Sequence, residues 1–264
     1  MKLIRYRFEN RIHTGVVTAG GIAPVEDDLL SIIQSGKLPV IADNAAKVAF
    51  DQVTPLLPYD VPPKIWCIGL NYKTHAEDID AVQPEEPGSF MKPASCMFQP
   101  GGEIVLPSRE FSDDVDAEGE LGVVIGKRCK HLTIEEAPAV IFGYTTTLDL
   151  TALDVLKKNT RYLTRAKSFD TFFSFGPVIV TADEIADVEA LEVITEHNGG
   201  ICSRDFVRHM RHRPHELVRF HSNYMTLYPG DLISTGCPKG ARIKTGDRVR
   251  ARIDGVGTLS ATVR

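Results

Sequence analysis

The chain is poor in several features whose presence would steer a functional reading. It has five cysteines in 264 residues, Cys67, Cys96, Cys129, Cys202 and Cys237. They are odd in number, far apart and never in a CxxC pair. That excludes a disulfide framework or a zinc ribbon and predicts reduced thiols in a reducing compartment. Positive charge is not in excess: 30 Lys and Arg against 35 Asp and Glu give a formal net charge of −5. The basic footprint of a nucleic-acid-binding protein is therefore missing, and the local cluster RHMRHRP (208–214) is read as a solvated surface. No apolar run approaches the roughly 20 residues that a membrane helix needs. The start, MKLIRYRFENRIHTG, contains no long apolar stretch, so no signal peptide is expected. There is no GxGxxG or P-loop, hence no expected nucleotide cofactor. Together these absences predict a cytoplasmic protein without membrane or nucleic-acid partners.

What is present reads as one large domain with a smaller one before it. A small N-terminal α+β domain is expected over 1–60. KLIRYRFE and HTGVVTAGG look like strands with a Gly-Gly turn, and VEDDLLSIIQSG like an amphipathic helix closed by Gly36. ADNAAKVAFDQV suggests a second helix, and TPLLPYDVPP, with four prolines in ten residues, a linker. Over 61–264 short strand patterns dominate: KIWCIG, GEIVLP, PVIVT, LEVITEH, DLIST, DRVRARID and GTLSATV. Helical patterns are few. TIEEAPAVIFG opens with a Thr133–Glu136 capping box, and PHELVRFHSNYMTLY starts from Pro214. The class predicted is α+β and β-rich, since strands and helices do not alternate regularly.

One strand pattern carries an unusual charge. In DAEGELGVVIG (116–126), Ala117, Gly119, Leu121, Val123 and Ile125 share one face, while Asp116, Glu118 and Glu120 share the other. Acids two apart on a strand repel unless a cation lies among them. Asp149 sits in the hydroxyl-rich GYTTTLDLT; Lys167 and Asp170 sit in the aromatic RAKSFDTFFSFGP. His75 stands with Glu77 and Asp78 in GLNYKTHAED, and STGCPKG forms a glycine-rich turn after a strand. Taken singly each has an ordinary reading: the wet face of an edge strand, a turn cap, a surface histidine, a solvated lysine. Taken together they suggest a hard-cation site. Glu118, Glu120 and Asp149 would supply three carboxylates, and all-oxygen coordination is the habit of Mg²⁺ or Mn²⁺. Gly119 would leave room for another element to press close.

These stretches, in this order, resemble the fumarylacetoacetate hydrolase superfamily in its short, single-catalytic-domain branch. The resemblance runs through KIWCIGLNYKTHAED, FMKP, DAEGELGVVIGK, GYTTTLD, KSFDTFFSFGP, HNG, PGDLISTGCPKG and TGDRV, over roughly 64–260. It implies a mixed β-sheet roll, commonly dimeric, so a homodimer is expected. It implies Glu118, Glu120 and Asp149 as metal ligands and Lys167 as the lysine that contacts substrate. The family's G-x-N-Y-x-x-H lid falls on Gly69, Asn71, Tyr72 and His75, and its T-G-T-P-x-G turn on Thr235, Gly236, Cys237, Pro238 and Gly240. Asn71, Tyr72, Thr235 and Gly236 are thus expected to bind substrate. His75 is expected as base with Glu77 or Asp78 beside it, and Asp116 and Asp170 as supporting acids.

Four departures stand out. The lid histidine's glutamate partner is Asp78; the family's arginine and glutamine after the third ligand are Leu153 and Leu156; the turn threonine is Cys237. Arg161 or Arg165 is the candidate to replace the missing arginine. The activity implied is Mg²⁺- or Mn²⁺-dependent hydrolysis of a C–C bond in a 2-oxo acid or 1,3-dicarbonyl, acylpyruvate-like or a 3-deoxy-2-oxo acid, by way of an enolate. An oxaloacetate-type decarboxylase or enol–keto isomerase on the same site is the alternative, and a noncatalytic binding protein the third reading.

Overall fold

The computed structural model describes residues 1–42, 44–78 and 80–264. Strands β1 (Lys2–Phe8), β2 (Arg11–Thr18) and β3 (Gly21–Val25) lead into helix α1 (Leu29–Ser35). That helix starts where the Asp28 carboxylate accepts from the Ser31 amide and stops at Gly36 in the left-handed region. Next come β4 (Thr54–Pro55), β5 (Ile65–Gly69), α2 (Lys73–Asp78), β6 (Gly88–Met91) and β7 (Glu103–Ile104). The long pair β8 (Val115–Ile125) and β9 (Ile141–Ala152) is followed by α3 (Leu153–Lys158), α4 (Leu163–Lys167), β10 (Phe173–Phe175) and β11 (Val178–Thr181). The chain ends with β12 (Glu192–His197), β13 (Gly200–Phe206), α5 (Pro214–Tyr224), β14 (Leu232–Ser234), β15 (Ala241–Ile243), β16 (Arg248–Ile253) and β17 (Gly257–Val263).

The β-rich, mixed-sheet class expected from the sequence is what forms. A 12-stranded sheet runs β3-β2-β1-β11-β9-β8-β14-β5-β6, with β4, β10 and β15 paired beside it. A 5-stranded sheet runs β13-β12-β16-β17-β7. Most pairs are antiparallel; β14–β5 and β17–β7 are parallel.

The apolar face of β8 turns toward the smaller sheet. Ala117, Leu148 and Leu150 pack with Ala251 and Leu259, and Leu121 and Val123 with Val193 and Ile253. At Gly119 the sheets come close together: a Cβ there would lie 2.7 Å from the Thr195 hydroxyl and 3.0 Å from the Ala251 Cβ. The close approach expected at this glycine is therefore present, and the acid face of β8 is left pointing the other way. That face is not wet, for β8 is central and buried along its whole length.

Two local expectations are corrected. The second helix over 42–53 does not form in its described residues (Asp43 lies outside them). A single 3₁₀ turn covers Phe50–Gln52, and Val48 bridges to Ile22. Bridging to a strand pulls this stretch into extended backbone. The proline-rich stretch is packed rather than loose: β4 pairs with β1, and Leu56, Leu57 and Tyr59 are buried. Strand β1 in turn pairs with β11, so residues 1–60 extend the larger sheet. The hairpin β12–β13 escaped the sequence reading although its turn, Asn198–Gly199, has the positive φ angles that this dipeptide favours.

The smaller sheet is pinned at one end by Asp247. Its carboxylate accepts from His197 Nε2 (2.8 Å), Asn198 Nδ2 (2.9 Å) and the Lys244 amide (2.9 Å). Burial would raise this carboxyl, but the Asn198 and His197 hydrogen bonds outweigh it and hold it at about 2, below its ordinary 3.8. A depressed pKa stabilises the fold fully above the unfolded value, and the stabilisation fades as pH falls from 3.8 toward 2. Asp247→Ala should cost about 2 kcal/mol and lower Tm by about 5 °C at pH 6. The gap should narrow below pH 4 in thermal melts followed by circular dichroism; equal Tm values at pH 6 would refute the anchor.

Candidate metal centre

The β8–β9 register builds the site. Glu118 lies directly opposite Asp149, and Glu120 opposite Thr147. The three acids therefore share a face, and a carboxylate oxygen of each lies within 4.8 Å of the others. All three are buried. Thr151 donates to Glu118 Oε1 (2.5 Å), while Lys167, the last residue of α4, donates to Glu118 Oε2 (2.9 Å) and Asp149 Oδ2 (3.0 Å). Ser234 and the Gly236 amide both donate to Glu120 Oε2, at 2.5 and 2.8 Å. Only glycine fits at 236, where φ is +92° and a Cβ would lie 2.9 Å from that of Asn71.

A second buried lysine, Lys92, pairs with Asp149 Oδ1 and donates to the carbonyls of Leu150 (3.2 Å) and Phe172 (2.7 Å). The sequence reading passed over it. The signal was the FMKP motif, but a single lysine after a strand carries no mark of burial.

Charge now decides what the cluster can hold. Two buried lysines face three buried carboxylates, and neither lysine forms an ion pair with Glu120. Burial, with Asp149 and Glu118 nearby, pushes Glu120 up to about 8. Burial acts upward on Glu118 too, but the Lys167 ammonium, His75 and the Thr151 hydroxyl hold it below its ordinary value. Lys167 stays well above its ordinary value because Asp149 and Glu118 outweigh its burial. Three buried carboxylates against two lysines, with burial and like charge pushing the unpaired Glu120 toward its neutral form, make a donor set that suits a divalent hard cation in place of that proton. The three predicted ligands are thus brought together.

The remaining predicted residues divide. His75, on α2, is buried, and a ring nitrogen lies within 4.8 Å of a Glu118 oxygen. Its Nδ1 is buried without a partner, and burial pulls its pKa below the usual value. Neither expected acid hydrogen-bonds it. Glu77 is exposed and pairs with Lys73 at 3.4 Å; two residues along a helix places it on the opposite side. Asp78 turns to Lys239 Nζ, at 2.5 Å.

The expected substrate contacts are mostly committed to the fold. Asn71 Nδ2 donates to the His212 (2.8 Å) and Thr235 (2.7 Å) carbonyls, and its Oδ1 accepts from the His212 amide (2.9 Å). The Thr235 hydroxyl donates to the Leu121 carbonyl (2.9 Å), the Gly236 amide is taken by Glu120, and Tyr72 is buried in the core. These residues clasp the 69–72 loop to the 234–237 turn and so position Glu120.

Asp116 does not join the cluster. It pairs with Arg242 Nη1 (2.5 Å), and burial pushes its carboxyl up to about 6. Asp170 is exposed and takes no part in the cluster's hydrogen bonds. Leu153 is buried and Leu156 packs on the core, while Arg161 and Arg165 are exposed, so neither fills the missing arginine's place. The arginine whose charge does reach His75 is Arg242, half-exposed and also paired with Asp114.

Comparison with known proteins identifies the family. Residues 64–264 match the family described as fumarylacetoacetate (FAA) hydrolase, C-terminal. The chain belongs to the fumarylacetoacetate hydrolase family. Human mitochondrial oxaloacetate tautomerase FAHD2B is 31% identical over 98% of this chain and 90% of its own length. The fumarylacetoacetate hydrolase of psychrophilic Exiguobacterium antarcticum superposes with a TM-score of 0.89 at 31% identity, covering 100% of this chain and 99% of that one. Maleylpyruvate hydrolase from Sphingobium sp. SYK-6, solved with manganese(II) and pyruvate, gives 0.82 at 29% identity, covering 100% and 98%. Family members thus include tautomerases and hydrolases, and this chain is an enzyme of that family with an acidic cluster fit for a metal. Among the described residues no helix is long and apolar enough to cross a membrane.

Proposed function

We propose that the protein catalyses enol–keto isomerisation of a small 2-oxo acid of the oxaloacetate type. The observation that carries this reading is His75: a buried imidazole beside the carboxylate cluster, with neither acid bound to it. Activating water for hydrolysis calls for a base that is oriented and strengthened by a partner. Moving a proton between carbon and oxygen of a bound substrate needs only an imidazole in its neutral form, which burial favours here.

Glu118, Glu120 and Asp149 would hold Mg²⁺ or Mn²⁺, which when bound polarises a 2-oxo group and favours negative charge on its oxygen. Lys167, fixed between Glu118 and Asp149, adds positive charge at the same place. A ring nitrogen of His75 takes the proton from C3 as the C3–H bond breaks. The same nitrogen returns it to the 2-oxo oxygen; the reverse path gives the keto form. Loss of CO₂ from oxaloacetate would use the same charges without water.

The test is a substrate panel with Mg²⁺: oxaloacetate, acylpyruvates and 3-deoxy-2-oxo sugar acids, followed by ultraviolet absorbance and mass spectrometry. Accelerated enol–keto exchange without mass change is expected. Cleaved products without accelerated exchange would instead support C–C hydrolysis, the second reading, which the maleylpyruvate hydrolase likeness favours. His75→Gln should slow exchange by about 10²–10⁴-fold while Mn²⁺ binding persists. An unchanged rate would remove His75 from the mechanism.

A further inference from the structure

Beside the carboxylate cluster lies a second set of donors that the proposed reaction does not use as a set. His75, Glu118 and Cys237 are all buried, and one ligand atom from each lies within 4.8 Å of the others. Cys237 is a free thiol, 2% exposed, and stands in the turn where the family pattern has threonine. His75 Nδ1 is a buried nitrogen with no hydrogen-bond partner. Nitrogen, oxygen and sulfur together differ in kind from the all-oxygen set next to them. Mg²⁺ has no use for a thiol or an imidazole; Zn²⁺ favours both. A tetrahedral zinc site with bonds of about 2.0–2.3 Å has edges of roughly 3.3–3.8 Å, so ligand atoms that lie within 4.8 Å of one another need to close by no more than about 1.5 Å.

We propose that His75, Glu118 and Cys237 form a zinc site that overlaps the oxygen-only site through Glu118, and that zinc held there inhibits the enzyme. Burial keeps the Cys237 thiol protonated in the metal-free protein. Binding breaks the S–H bond, forms a zinc–sulfur bond and releases one proton to solvent. No redox step is involved. Bound zinc would take up both the Glu118 carboxylate and the His75 imidazole, so magnesium affinity and proton transfer fall together. The inhibitory consequence rests on the roles given to Glu118 and His75 above; the binding site does not.

The experiment is a titration of the whole chain, stripped of metal by chelator, with Co²⁺ as a spectroscopic stand-in for zinc. The wild type should develop a near-ultraviolet thiolate-to-cobalt charge-transfer band that Zn²⁺ abolishes on displacement. Cys237→Ser and Cys237→Thr should both lose the band and bind zinc at least about tenfold more weakly. Glu120→Gln, which lacks a carboxylate of the oxygen-only site alone, should keep it. Retained Mn²⁺ binding shows that the cysteine variants are folded. Absence of the band in the wild type, or its persistence in either cysteine variant, overturns the proposal. If the band behaves as expected but zinc leaves turnover unchanged, the site stands, while the inhibition and with it the roles given to Glu118 and His75 fall.

Discussion

Glu118→Gln lowers turnover about a thousandfold or more on any 2-oxo acid substrate, and it also destabilises the protein. Both effects come from one carboxylate. Glu118 faces Asp149 across the β8–β9 ladder, and its two oxygens accept separately from Thr151 and Lys167. The amide cannot offer two anionic oxygens, so a cation held by three carboxylates loses a ligand. Several kcal/mol of charge stabilisation on a developing oxyanion goes with it, and each 1.36 kcal/mol is tenfold in rate. Lys167, buried, keeps only Asp149 as an ion-pair partner. Breaking half of a buried ion network costs about 3 kcal/mol. Steady-state kinetics and thermal melts in chelator read the two effects apart. Turnover within tenfold of wild type would remove Glu118 from the ligand set.

Glu120→Gln is expected to behave oppositely in stability while also abolishing turnover. Glu120 is the acid without a lysine, and its folded pKa of about 8 lies above the ordinary 4.5. A raised carboxyl pKa costs stability above the unfolded value: the cost is absent below pH 4.5, grows as pH rises, and is full above about 8. Glutamine can keep an oxygen at the position that accepts from Ser234 and Gly236, without the charge. In chelator at pH 8 the variant should therefore gain a few kcal/mol, raising Tm by about 5 °C or more, with no gain at pH 4.5. Adding Mn²⁺ should reverse the order, because only the wild type binds it tightly. A metal-free variant no more stable than wild type at pH 8 would show that Glu120 is not the uncompensated charge.

The site was legible in the sequence wherever it depends on strand periodicity. Alternation in DAEGELGVVIG put Glu118 and Glu120 on one face and left Gly119 for a close contact, and both hold. What periodicity could not supply was the pairing register that sets Asp149 against Glu118, or the burial of Lys92. Those depend on how β8 and β9 pair and on Lys92, just after β6, reaching Asp149 on β9, which is tertiary information. The acids beside His75 misled for a different reason. On so short a helix Glu77 points away from His75, and Asp78 finds Lys239, a partner contributed by a turn more than a hundred residues away in sequence. Asn71 and Thr235 look like free polar groups in a string of letters; in the fold their hydrogen bonds are already committed to backbone. At the N-terminus, helix-like composition over 42–53 yielded to the Ile22–Val48 bridge.

The central claim is that Glu118, Glu120 and Asp149 hold one divalent cation. Titration of the chelator-stripped protein with Mn²⁺, followed by electron paramagnetic resonance of the free ion, tests it directly. One tight Mn²⁺ per chain, lost in each of Glu118→Gln, Glu120→Gln and Asp149→Asn, is the expected result. Binding of the same stoichiometry and affinity in all three variants would contradict it.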